Sequence, residues 1–78
     1  MNELKQQIID YWLDQYRAKG WPFISRLKIA QALDRDINEA LRELAREKKV
    51  ILKRSINGVV VVYVGDTQIL NEIEQYIN

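Results

Sequence analysis

The side chains able to do chemistry in this chain are its charged and amide groups. It has twelve Lys and Arg, eleven Asp and Glu, no histidine and no cysteine. Without histidine or cysteine, the usual zinc ligands, the thiolate nucleophile and the commonest general base are all missing. There is no glycine-rich phosphate loop, and the acidic pairs fall on a helix surface instead of a cleft. The expectation is a protein that is not an enzyme, with no metal, no cofactor and no evident small-molecule ligand. What remains is basic patterning. On a helix stepping 100° per residue, Arg35, Glu39, Arg42 and Arg46 lie opposite an apolar stripe of Ile37, Ala40, Leu41 and Leu44, with Asn38 and Glu43 on its flanks. Lys53 and Arg54 follow on a β-branched run. Clustered cations of this kind suit a polyanion, because nucleic-acid affinity comes from local displacement of counterions. The net charge of +1 does not announce such a partner.

The elements that must position these groups can be read in order. The spacing predicts a first helix over Glu3–Lys19, closed by Gly20 with Pro22 just beyond. Leu4, Ile8, Trp12 and Tyr16 make its buried stripe, and Ile9, Tyr11 and Leu13 widen the apolar sector until it asks for a second partner. Pro22 keeps Trp21 out of the α region, so Trp21–Ile24 reads as a short extended edge segment. Ser25 is a good N-cap for a scaffold helix over Arg26–Leu33, whose apolar positions are Leu27, Ile29, Ala30 and Leu33. Asp34 and Arg35 form a brief connection. Asp36 then caps a helix running from Ile37 to Lys48 or Lys49.

Val50–Arg54 and Val59–Val64 read as a hairpin turning at Asn57-Gly58, which pairs Ile56 with Val59, Arg54 with Val61, Lys53 with Val62 and Leu52 with Tyr63. Lys53 and Arg54 point to opposite faces, so one basic side chain reaches out whichever face is buried. The valine run implies a strand covered on both sides or paired with Trp21–Ile24. Beyond Gly65, Asp66 or Thr67 caps a last helix to about Ile77 with Ile69, Leu70, Ile73, Tyr76 and Ile77 on one face. The aromatic residues, Trp21 included, read as core.

Seventy-eight residues make a single small domain, one that buries only about 60% of its unfolded surface. Lacking disulfides, such a core is commonly reinforced by oligomerisation. The first residues lack the apolar centre of a signal peptide, and no apolar run approaches a membrane span, so the expectation is a soluble, cytoplasmic protein without a membrane partner.

The order helix, short strand, helix, helix, hairpin, helix resembles the winged helix-turn-helix family of small transcription regulators. The resemblance covers about half the chain, Ile24–Tyr63. It implies an α+β, mostly helical fold with a small antiparallel sheet. The N-terminal helix is 1–20, the helix-turn-helix 25–49, the wing hairpin 50–64 and the C-terminal helix 66–78. It further implies sequence-specific binding of double-stranded DNA, with the second helix of the helix-turn-helix in the major groove and the wing on the backbone. Carried over by position, Arg35, Asn38, Glu39 and Arg42 would face bases or nearby phosphates. Arg46, Lys49, Lys53 and Arg54 would hold the backbone, with Asn57 at the wing tip.

A homodimer would set two such helices in successive major grooves. The wide apolar sector of the first helix and the amphipathic last helix propose its interface: Ile9, Leu13, Ile69, Ile73, Tyr76 and Ile77. Asp34, Asp36, Glu39 and Glu43 sit around the start of the recognition helix, where phosphates would approach. With the near-zero net charge, they keep open an alternative, a protein-interaction winged helix in a larger assembly.

Overall fold

Leu4, Ile8 and Trp12 are buried along one side of helix α1 (Asn2–Lys19) in the computed structural model, which describes residues 2–77. Tyr16 packs beside them, its ring stacked on Trp12 at 5.1 Å between centroids. Gly20 ends the helix as its position predicts, at φ +67 with its N–H on the Tyr16 carbonyl. Among the described residues there follow strand β1 (Ile24–Ser25), helices α2 (Arg26–Leu33) and α3 (Asn38–Arg46), strands β2 (Val50–Ser55) and β3 (Gly58–Tyr63), and helix α4 (Thr67–Ile77). This is the α+β layout expected from the sequence, with a three-stranded antiparallel sheet in the order β1-β3-β2. A radius of gyration of 11.5 Å is about what 78 residues packed as one body give.

Strand β3 is the centre of the sheet. Val61 pairs with Ile24 of β1 on one side and Leu52 of β2 on the other, and its side chain lies in the core beside Val50 and Ile24. The indole N–H of Trp12 donates to the Val61 carbonyl at 2.8 Å, so α1 is fixed to the sheet by a buried polar contact as well as by packing. Ile29 of α2 and Ala40, Leu41 and Leu44 of α3 fill the same core, with Ile37 just before α3. Val62 faces the other side of the sheet and is equally buried, as is Ile73 of α4. The valine run is thus both covered on two sides and paired with β1. Two apolar side chains expected inside lie out: Trp21 is 50% exposed and Leu27 58%.

The expected hairpin register is off by two residues. Ser55 pairs with Gly58, Arg54 with Val59, Lys53 with Val60 and Leu52 with Val61, so the turn is Ile56-Asn57. Neither of those residues takes positive φ; Gly58 alone does, at +121, and the Ser55 hydroxyl donates to its carbonyl at 2.9 Å. The turn therefore needs one permissive residue where the expected form needed two. A shift of two leaves every side chain on its expected face.

Helices α2 and α3 both end without glycine. In α2 the N–H groups of Asp34 and Arg35 return to the carbonyls of Gln31 and Ala30, with Asp34 left-handed at φ 53. In α3 the N–H groups of Lys48 and Lys49 return to Ala45 and Leu44, with Lys48 left-handed at φ 64. Each is a Schellman closure. Hence α3 stops at Arg46 instead of reaching Lys48 or Lys49, and the inter-helix connection is Asp34–Ile37 instead of two residues. A lysine in the left-handed region costs about 1 kcal/mol. Lys48→Gly is expected to raise unfolding stability by about that amount, read from the urea midpoint at unchanged slope.

Candidate nucleic-acid interface

Arg54 pairs with Val59 and shares its sheet face with Leu52 and Val61, the face that packs on the helices. Near the hairpin tip that face overhangs the start of α3, and the two enclose an open groove of about 450 Å³. Its floor is apolar, from Leu41, Leu52 and Val59, and its walls carry Arg26, Asn38, Arg42 and Arg54. Among the described residues none of these three arginines forms an ion pair. An apolar floor with unpaired guanidinium walls is suited to an anion whose planar or sugar parts can lie against it.

Of the carboxylates expected to dilute this face, Glu43 is drawn away by α1, while Asp34, Asp36 and Glu39 stay exposed near the start of α3. Lys5 of α1 sits between Glu43 at 2.9 Å and Glu47 at 2.7 Å, with its side chain only 12% exposed. Its ammonium, bonded first to Glu47 and then to Glu43, is held above the usual lysine range, and Glu47 is held below the usual glutamate range chiefly by Lys5. Asp36 accepts the backbone N–H of Asn38 at 3.0 Å, while Ile37, the residue flanking α3, makes no side-chain cap. That carboxylate already occupies one of the free amides that a phosphate would seek at the helix start. Glu39 stays exposed on α3 and forms no ion pair among the described residues.

Of the residues proposed from sequence to bind DNA, the groove gathers Asn38, Arg42 and Arg54. Arg35 lies exposed in the inter-helix turn, and Arg46 lies exposed in the last turn of α3. Asn57 is exposed at the hairpin tip. Two of the remaining residues lie away from the groove. Lys49 is not on the helix; it follows the Schellman closure and leans toward Glu47 at 3.6 Å, on the Lys5 side. Lys53 shares the opposite sheet face with Val60 and is half-buried, its ammonium 5.9 Å above the Phe23 ring. Arg54 is the basic hairpin residue on the α3 side of the sheet. Arg26 was missed. Its signal in the sequence is a positive charge directly after the Ser25 cap, where the helix dipole disfavours it and stability gives it no purpose.

The proposed dimer face is also partly consumed. Ile9 is 9% exposed within the core and Ile73 is fully buried, so neither is free to meet a second copy. Leu13 and Ile69 pack against the core, and the Tyr16 hydroxyl donates to Glu72 at 2.8 Å, tying α4 to α1 within the chain. Tyr76 is 40% exposed, its ring edge-on to Trp21 at 5.4 Å, and Ile77 is half-buried. Helix α4 of the same chain thus covers part of the outer apolar side of α1.

No helix among the described residues is long and apolar enough to cross a membrane. Comparison with protein-family models, curated proteins and solved structures gives no match.

Because Glu47 is depressed in the folded state, its link to Lys5 stabilises the fold fully above the ordinary glutamate range. That contribution fades as pH falls through the depressed folded value. A carboxylate NMR titration should find Glu47 titrating below that range in the native chain and returning to it in Lys5→Ala. The substitution should also lower the melting temperature at neutral pH more than at acid pH.

Proposed function

We propose that this chain binds duplex DNA as a sequence-specific regulator inside the cell, with α3 in the major groove and Arg54 of the wing on the neighbouring backbone. One observation carries the reading: three arginines from α2, α3 and the wing converge on one groove with no carboxylate paired to them, while Lys5 draws Glu43 and Glu47 to the other side. A near-neutral protein thereby keeps a locally basic face. Base edges in the major groove are distinguishable by donors and acceptors, and the exposed face of α3 offers donors at Asn38 and Arg42 and an acceptor at Glu39. Arg35 and Arg46 flank them as backbone contacts. Two copies related by a twofold axis would double this short footprint; with Ile9 and Ile73 buried, the face left for pairing is at Tyr76 and Ile77, beside Trp21.

A second reading has its own observation. Trp21, Phe23 and Tyr76 form an edge-to-face aromatic group, with Trp21 and Tyr76 well exposed, on the opposite side of the sheet from the arginine groove. Exposed aromatics of this kind are anchors in protein interfaces, so this face favours a protein partner.

Band shifts with a random duplex pool across a salt series separate the two. The DNA reading expects binding that weakens with salt, with a slope of about −0.9 per phosphate held. Arg54→Ala should weaken all duplexes alike and make the slope shallower by about one phosphate. Arg42→Ala should weaken some sequences selectively, and Lys53→Ala should change little because its ammonium lies over Phe23. Absence of binding at low salt would overturn the DNA reading and leave the aromatic face as the functional one. Sedimentation of Tyr76→Glu against the native chain tests the pairing face, since a dimer through it should dissociate to monomers.

A further inference from the structure

Arg26 uses its guanidinium in an unusual way. It is half-buried at the first position of α2, where its charge opposes the helix dipole. Asp34 and Asp36 lie exposed in the nearby turn, yet Arg26 pairs with neither and instead donates from Nη1 to Oδ1 of Asn38 at 2.8 Å. A guanidinium has donors only, so the amide oxygen must face it, and the orientation of Asn38 is set by chemistry. Its Nδ2 hydrogens are then on the other side of Cγ from Arg26. The backbone of Asn38 is held as well, through Asp36. An exposed asparagine at the first position of α3 is therefore fixed in main chain and side chain before any ligand arrives. Arg42, one turn further along the helix, lines the same groove.

We propose that Arg26 is a positioning residue that holds Asn38 with its amide hydrogens directed at the acceptor edge of a purine, N7 in either adenine or guanine, in the major groove. The inference rests on the DNA reading above and adds how one base pair is discriminated. A phosphate-binding arginine would act on every sequence alike. Arg26 acts through Asn38 on one position, because a pre-oriented donor loses less freedom on binding than a rotating one.

The test is selection of duplexes from a random pool, followed by affinities for all four bases at each selected position. The native chain should prefer purine over pyrimidine at one base pair by roughly tenfold, the size of a good side-chain contact to a base. Arg26→Ala and Asn38→Ala should each reduce that preference to below about twofold at the same position, and the double variant should be no worse than either. Any weakening by Arg26→Ala that all sequences share should be smaller than its loss at the preferred purine, and Arg26→Lys, which keeps a donor of similar reach, should recover much of the preference. If Arg26→Ala instead weakens all sequences equally with a shallower salt slope, Arg26 is a phosphate contact and the inference is overturned. It is also overturned if the purine preference survives in Arg26→Ala, or if Arg26→Lys recovers none of it. No binding by the native chain at low salt overturns the DNA reading itself, and this inference with it.

Discussion

The bond from the Trp12 indole to the Val61 carbonyl joins the longest helix to the middle of the sheet, and the remaining geometry hangs on it. Val61 is paired on both sides, to Ile24 and to Leu52, as its neighbour Val60 is to Ser25 and Lys53, so whatever fixes this part of β3 fixes both edges of the sheet. Trp12 is buried, stacked against Tyr16 and tilted against Tyr63 at 5.8 Å, which leaves its ring little room to turn. No other polar side chain reaches so far inside; the described residues include no buried polar residue and no buried side-chain polar atom without a partner. In a chain this small, one satisfied hydrogen bond in an otherwise apolar core selects the docking angle of α1 where packing alone would allow several.

That angle decides the electrostatics of α3. With α1 seated on Val61, Lys5 lies one helix face away from the core, between Glu43 and Glu47. Glu43 and Glu47 are thereby drawn to the α1 side, away from Arg42, while Glu39 stays on the outer face with the arginines. Coulomb forces between exposed side chains are weak, so the sorting is a matter of direction more than of strength. It takes Glu43 away from the approach to the groove and leaves Asp36 closing the amide of Asn38.

Much of this was legible in the residues. Helix α1, its end at Gly20, the Ser25 cap and the span of α2 follow from stripes and caps that state their positions locally. The last helix too begins where expected, Asp66 accepting from the N–H groups of Gln68 and Ile69. What stayed hidden was settled by non-local or unmarked features. Lys48 takes the left-handed conformation without being glycine, so the end of α3 carries no sign in sequence. Asn57-Gly58 is a strong turn signal that was read one form too specifically, since the strand pairing places Gly58 inside β3. The partner of Lys5 is 42 residues away, and that of Arg26 sits on another helix, where no periodicity reaches. The apolar breadth of α1 calls for a second partner, the last helix or another copy, and α4 meets it in part through Glu72 and Ile69.

The alternation of Lys53 and Arg54 has a consequence for how this chain can vary through descent. Arg54 overhangs α3 because an even number of steps separates it from Leu52 and Val50 on the core face. One codon gained between Leu52 and Arg54 would turn the guanidinium to the aromatic side of the sheet and empty that wall of the groove. Two would carry it outward by one pair and keep it over the helix. Length change in this strand therefore keeps Arg54 over α3 only in even steps.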